Sequence, residues 1–493
     1  MNVPSSPSLS LLTDLYQLTM AYGYWKQGKA DQHAVFHLFF RSNPFKGGYV
    51  IAAGLEPVLD FVRSFRFTSD DVAFLGTITG NDGRALFEPE FLVYLQQLEL
   101  TLDIDAIPEG TIVFPHEPLL RVRGPILQCQ LLETALLNII NFQSLIATKA
   151  SRIVMAAQGD PVLEFGLRRA QGIDGALAAS RAAFIGGCAA TSNVLAGKKF
   201  GIPVKGTHAH SWVMSFETEF EAFSAYADAM PNNCVFLVDT YDTLEGVRHA
   251  IVIGQRLRET GHRMVGIRLD SGDLAWLSVE ARKLLDAAGF HDASIVASND
   301  LDERLIASLK QQGAAISVWG VGTKLVTAYD QPALGGVYKL GAIQDAGGEW
   351  KPKIKLSEQL IKTSTPGKQQ VRRYFDDSGR AIADMIYNEL QPSSETCVIV
   401  DPLDPAHKRE MSATGTFEDL LQPMMRGGRL IAELPILADV RSKTLEQVQQ
   451  FHASILRFDN PHKYPVGLEQ RLHELKARLV LEARSDAKSG ATP

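Results

Sequence analysis

The chain is poor in cysteine, in excess basic charge and in long apolar runs, and each shortage argues against a class of protein. Only four cysteines, Cys129, Cys188, Cys234 and Cys397, occur in 493 residues, far apart and without a CxxC pair. They could pair as two disulfides, but reduced core thiols in a cytoplasmic protein fit a chain of this size better. Acidic residues outnumber basic ones, 56 to 49, for a formal net charge of −7. Binding to nucleic acid or to an anionic membrane needs a basic surface, so neither partner is expected. A small anionic ligand stays compatible, because a local arginine cluster can overrule the global sign. No apolar run reaches the roughly 18 residues of a membrane span. The opening MNVPSSPSLSLLTDLYQ also lacks the basic-then-apolar layout of a signal peptide.

What is present reads as ordinary globular protein, with 45% hydrophobic and 21% charged residues. The length calls for roughly two or three domains. Leu15, Leu18, Tyr22 and Trp25 recur at helical spacing, with Thr13 or Asp14 near the cap and Gly28 as a stop. AVFHLFF (34–40) and GTIVF (110–114) read as strands, so residues 1–130 form a mixed α/β N-terminal domain. Strand-like segments in 335–400, GVYKL, WKPKIKLS and VRRYF, are expected to complete it. The segment 401–493 carries turns, a final helix near LEQRLHELKARLVLEA and a tail, ARSDAKSGATP, expected to be disordered.

Between these, residues 131–334 open with the helical LLETALLNIINFQSLIATKASRIVMAA and then alternate strands with helices. Strands are expected at VLEF (162–165), AFIGG (183–187), IPVKG (202–206), CVFLV (234–238), MVGIRL (264–269), SIVAS (294–298) and ISVWGV (316–321). Such alternation implies parallel strands with crossover helices, here an irregular (β/α) barrel, with a doubly wound open sheet as the other arrangement. Polar residues follow the strands at a steady beat: His210, Asp239, Asp270, Asn299 and Thr323. In a barrel all strand C-terminal ends share one face, so these distant residues converge there.

Four motifs could carry chemistry. In EFGLRRAQG, Arg168 and Arg169 follow a buried strand and offer forked donors to a carboxylate or phosphate, or else form solvated salt bridges. Arg181 in ASRAAFIGG adds slightly to the anion reading. GIRLDSGDL places Arg268, Asp270 and Asp273 at a strand end. An arginine there needs an anionic partner; the carboxylates could hold a ribose hydroxyl or Mg²⁺, and Asp273 reads best as a helix cap. In VWGVGTKLVT, Gly320, Gly322 and Thr323 suit a phosphate. Finally, His208 and His210 in GTHAHSW could ligate a metal, be hydrogen-bonded structural residues, or supply an acid–base or nucleophilic imidazole. No further His/Cys cluster lies near them, so no resident metal site is expected.

Taken in order, the motifs resemble the nicotinate phosphoribosyltransferase family, of the type II phosphoribosyltransferase fold. They are TDLYQLTM, FGLRRAQG, ASRAAFIGG, TSNVLAG, GTHAHSW, RLDSGDL, SND, GVGTKLVT and GGVYKL, spanning most of residues 11–400. The resemblance implies that nicotinate and phosphoribosyl pyrophosphate give nicotinate mononucleotide and pyrophosphate, coupled to ATP hydrolysis and assisted by Mg²⁺, in NAD salvage. It implies a homodimer whose sites use both subunits. It puts a phosphohistidine on His210, with His208 at a variable position. Tyr16 resembles the aromatic that stacks on nicotinate, Thr207 and Arg268 its other contacts, and Thr323 a phosphate ligand. Arg168 and Asp270 belong to the same implied site. The relatives that use nicotinamide carry an acidic residue where this chain has Ser192 in Ala190-Thr191-Ser192, which favours the acid. Quinolinate phosphoribosyltransferase, a silent nucleotide-binding paralogue and a Schiff-base aldolase using Lys205 or Lys324 fit the motif set less well.

Overall fold

A computed structural model describes residues 9–359, 362–391, 397–402, 404–411 and 415–489. The chain divides into two compact units. One takes Met1–Ser144, Ala333–Pro435 and Glu446–Pro493; the other takes Leu145–Pro332 and Ile436–Leu445. Helix Glu133–Ala156 carries the chain across the first of these boundaries.

The first unit is built on two large sheets and a two-stranded ladder of Val50–Ile51 with Ile112–Val113. Strand His33–Phe40 lies between Gly336–Gln344 and Leu120–Pro125, antiparallel to both. All of its residues after His33 are buried, as expected of a central strand covered on both faces. Each large apolar side chain buried there contributes about 1.5–3 kcal/mol. His37 pays no charge penalty within it: burial pushes its imidazole well below the usual range, and Nε2 accepts the Gln369 N–H at 3.1 Å. The second sheet runs Lys408–Met411, Cys397–Val400, Val466–Glu469, Ala381–Asn388, Gln369–Phe375, Phe417–Asp419. In it the fully buried Arg373 pairs with Asp384, which also accepts the Tyr464 hydroxyl at 2.9 Å.

In the second unit six short strands lie parallel. Their order is Ala190–Thr191, Val162–Glu164, Val318–Val321, Ser294–Ala297, Gly266–Leu269, Val235–Leu237. Helices Thr243–Glu259, Leu274–Ala287 and Glu303–Gln311 return the chain. Each begins with an aspartate cap: Asp242, Asp273 and Asp302 accept N–H groups of Glu245, Trp276 and Leu305 at 2.9, 3.1 and 2.8 Å. Asp273 is therefore the cap its sequence context suggested.

The two edge strands are joined irregularly. On one side Val204 bridges Thr191, with Thr191 N–H donating to Pro203 and Lys205 N–H to Thr191, both at 3.0 Å. On the other, the Leu237 N–H donates to the His208 ring at Nε2, 3.3 Å away. A side chain thus stands where a regular barrel would have a ladder.

Several expectations are corrected. AFIGG is not a strand but the end of helix Ile173–Ile185 and its Gly186 cap. Gly186 packs so closely on Ala147 that a Cβ would lie 2.3 Å from its carbonyl oxygen. IPVKG forms only the bridge at Val204. Leu15 is 49% exposed and Gln17 buried in its place, because the Gln130 amide reaches Gln17 on the inner face of helix Leu15–Lys26. The tail expected to be disordered from residue 483 continues helix Gln470–Ser489, with residues 490–493 outside the described ones. The segment from 401 onward adds strands to both sheets of the first unit, and part of helix Leu437–Gln449 to the second unit. Among the described residues no helix is long and apolar enough to cross a membrane. All four cysteines are buried free thiols.

Candidate active site

The strand ends of the second unit carry one connected polar network. At its centre is Arg268, on strand Gly266–Leu269. Its Nε donates to Ser298 Oγ at 2.8 Å, Nη1 to Thr207 Oγ1 at 3.1 Å, and Nη2 to Asp270 Oδ1 at 2.7 Å. Three partners on three chain segments fix the planar fork, which a lysine ammonium could not engage in the same way. The Ser298 hydroxyl also donates to Asp270. Burial alone would raise the Asp270 carboxyl, but Ser298 and the Arg268 charge outweigh it and hold it below the usual carboxylate range. The guanidinium carbon lies over the Phe165 ring, 5.9 Å from its centre.

Asp239, beyond strand Val235–Leu237, braces the same turn. Its Oδ2 accepts the Asp270 N–H at 2.8 Å and the Ser271 hydroxyl at 2.6 Å. Its Oδ1 is buried with no hydrogen-bond partner. An acceptor left open beside a second carboxylate is suited to a cation that arrives with a ligand.

The two histidines separate cleanly. His208 is 8% exposed, its ring packed against Tyr226, Phe223 and Phe236. Burial pushes it down to about 4, with the Arg268 and His210 charges adding to the effect. The neutral ring donates through Nδ1 to Ala209 O at 3.4 Å and accepts from Leu237 through Nε2. His210 opens the short helix His210–Met214 and is much more accessible. Its Nδ1 meets Thr240 Oγ1 at 3.2 Å, and its Nε2 lies 3.7 Å from Asp270 Oδ2. The rings serve different partners and present no common face to a metal.

Two further loops nest on the adjoining strand ends. The Phe165 N–H donates to Val321 O at 2.8 Å. A Cβ on Gly320 would come within 2.7 Å of the Phe165 ring, and one on Gly166 within 2.3 Å of Val326. Glycine at both positions is what lets FGLRR and GVGT lie together. Below them the buried Glu164 accepts the hydroxyls of Ser180 and Thr191 at 2.8 and 2.6 Å. Thr323 begins helix Thr323–Val326 and is half-buried; Arg168 and Arg169 are exposed on the turn Leu167–Arg169. Arg181, by contrast, is buried inside its helix and offers no surface to an anion.

Thr207, Arg268 and Asp270 are therefore directly bonded, with His210 beside Asp270. Arg168 and Thr323 stand beyond neighbouring strands. Tyr16 belongs to the first unit, 47% exposed, its hydroxyl donating to Glu133 at 3.1 Å; burial and the Glu133 charge push it up to about 12. Phe165, Thr240 and Ser298 also join the network, though the sequence reading gave them no role. The signal was available, since Phe165 and Ser298 directly follow strands, as does Asp270, and Thr240 comes one residue after Asp239 beyond strand Val235–Leu237.

A parallel α/β barrel holding a restrained arginine, an accessible histidine and two carboxylates at its strand ends is the architecture of an enzyme acting on small anions. Family models described as the nicotinate phosphoribosyltransferase N-terminal domain, family and C-terminal domain match residues 11–141, 161–379 and 368–476. The chain is 44% identical to nicotinate phosphoribosyltransferase of Bacillus subtilis, over 97% of its own length and 98% of that protein. It is 37% identical to the Homo sapiens protein of the same name, over 94% and 95%. The crystal structure of human nicotinic acid phosphoribosyltransferase superposes with a TM-score of 0.83 at 34% identity, covering 95% of this chain and 99% of that one. The chain belongs to the nicotinate phosphoribosyltransferase family, and its barrel is of the type II phosphoribosyltransferase kind.

Proposed function

We propose that this protein joins nicotinate to phosphoribosyl pyrophosphate, releasing pyrophosphate and forming nicotinate mononucleotide for NAD salvage. The observation that carries the reading is Arg268, held by Ser298, Thr207 and Asp270 and lying over the Phe165 ring. A pyridine carboxylate offers both an anion for the guanidinium and Thr207 and a flat ring for the aromatic. The neutral Ser192 accords with an acid rather than an amide as substrate.

In the reaction the pyridine nitrogen bonds to the anomeric carbon as that carbon's bond to pyrophosphate breaks, and the electron pair leaves with the pyrophosphate. The ribose passes through an oxocarbenium-like state. Arg268 orients the acceptor, Asp270 faces the sugar, and Arg168 and Thr323 hold phosphate oxygens. Mg²⁺, when bound, would neutralise pyrophosphate charge, and the open Asp239 oxygen and Asp270 would hold it.

Coupling to ATP runs through His210. Asp270 near Nε2 favours the proton there and leaves the Nδ1 lone pair, now at Thr240, as nucleophile. The γ-phosphoryl group passes to the ring, ADP leaves, and water later releases phosphate. Tyr16 is assigned an aromatic contact with nicotinate, and its exposure leaves it available in a homodimer. The 81% and 70% exposed Ile173 and Val194 are apolar surface of the kind a second subunit covers. The cytoplasm, a reducing compartment, suits the four thiols.

The test combines the protein with nicotinate, phosphoribosyl pyrophosphate, Mg²⁺ and ATP and assays the mononucleotide. No product, or equal use of nicotinamide, overturns the reading. His210→Ala should abolish acid-labile ³²P labelling from ATP while His208→Ala retains it, and the reverse result refutes the assignment.

A further inference from the structure

The first unit holds a cavity of about 380 Å³ between helix Gln470–Ser489, strands Val466–Glu469 and Ala381–Asn388, and the loops at Pro115 and Pro402. Its wall is mostly apolar, with Ile386, Leu468 and Val480 among the lining residues, and among the described residues no carboxylate belongs to it. One ammonium, Lys476, is set in this wall. It has two long hydrogen bonds, to Thr363 O at 3.4 Å and Thr365 Oγ1 at 3.3 Å, both neutral acceptors. His116 and His473 line the same space. His116 sits with φ at 72°, a left-handed backbone that costs a non-glycine residue energy. It is shared with an adjoining cavity of about 270 Å³ that adds Arg41, His462 and Lys463, the last paired with Asp401 at 2.8 Å.

We propose that this cavity is a binding site for a small organic anion with an apolar body, whose charged group pairs with Lys476. A cation taken out of water beside neutral oxygens is costly until an anion joins it, and desolvation has already lowered this lysine to about 8. The apolar wall accepts a hydrocarbon or aromatic body and gives a bare inorganic anion little to bind. Burial lowers both His116 and His473 toward the neutral form, in which a ring N–H can donate to the ligand's charged group, and Arg41 in the adjoining cavity adds positive charge nearby. Nothing in the phosphoribosyl chemistry of the second unit uses these residues.

Octanoate, 1-octanol and inorganic phosphate, titrated calorimetrically into the full-length protein, separate the possibilities. Wild type should bind octanoate, and Lys476→Met should weaken it at least tenfold while leaving 1-octanol unchanged or tighter. Lys476→Arg should retain octanoate. Ala477→Trp, from an exposed helix position at the rim, should block octanoate and 1-octanol alike. All three variants should keep nicotinate turnover, which shows that they fold. Failure of octanoate to bind at millimolar concentration, equal binding by Lys476→Met, or phosphate binding as tightly as octanoate overturns the proposal. If turnover is absent in wild type as well, it is the reading of the barrel site that fails.

Discussion

Replacing His208 with glutamine should flatten the acid limb of the stability profile. In the folded protein this ring titrates at about 4, against 6.5 for an ordinary histidine. Between those values the unfolded chain takes up a proton that the folded chain refuses, so stability falls as the pH is lowered. At about 1.4 kcal/mol per pH unit, the full gap is worth roughly 3.5 kcal/mol. Residual solvent access reduces this to about 2 kcal/mol. Glutamine keeps an acceptor for the Leu237 N–H but does not titrate, so the variant should lose about 0.5–2 kcal/mol at pH 7.5. Its stability should then decline less steeply toward pH 4.5, by about 2 kcal/mol. Urea unfolding at half-unit steps, followed by tryptophan fluorescence, measures this. Trp212 is a near reporter, 5.9 Å from the Tyr226 ring that packs on His208. His37 and His116, both lowered by burial, contribute in the same direction in both proteins and cancel in the difference. Parallel profiles for variant and wild type would falsify the assignment of His208 as a neutral structural ring.

Other perturbations have equally definite outcomes. Arg268→Gln removes a charged fork bonded to three partners and should lower kcat/KM for nicotinate about 10²–10³-fold, equivalent to about 3–4 kcal/mol; an effect below tenfold in steady-state kinetics would exclude it as the carboxylate anchor. Gly320→Ala drives a methyl group to 2.7 Å from the Phe165 ring and should cost about 1–3 kcal/mol in thermal unfolding as well as activity. Unchanged stability would mean that the FGLRR loop yields freely. Lys476→Met should stabilise the protein by about 1–2 kcal/mol at pH 7, since the folded state bears a cation lowered to about 8 from 10.5. That gain should fade as the pH rises from 8 to 10.5, where the unfolded lysine also becomes neutral; a gain independent of pH would point to packing instead.

The barrel was legible because its strands are short apolar runs ending in polar residues, and that rule located Arg268, Asp270 and the histidine loop. It failed at AFIGG, where Ala183, Phe184 and Ile185 look like a buried strand but belong to a helix end whose Gly186 packs against Ala147. It also failed at IPVKG, which is extended but has only one bridge partner. Local sequence does not record how many neighbours an extended segment will find. Spacing alone left the roles of His208 and His210 open, and resemblance chose between them; the structure shows the first ring buried among aromatics and the second accessible. Lys476 carried no signal at all. A lysine on an amphipathic helix reads as solvated, and only the sheet and loops around it, drawn from residues over three hundred positions away such as Pro115, make it otherwise.

The ten residues Ile436–Leu445 belong to the second unit although the chain on both sides of them belongs to the first. Within that stretch Arg441 donates to the carbonyls of Cys188 and Gly187 at 2.8 and 3.0 Å, closing backbone groups just before strand Ala190–Thr191. A gene interrupted after residue 435 would therefore strip a stitch from the barrel as well as a strand and a helix from the sheets. Neither unit can be cloned as one uninterrupted piece, and a recombination event that exchanged either would have to cut the gene in several places.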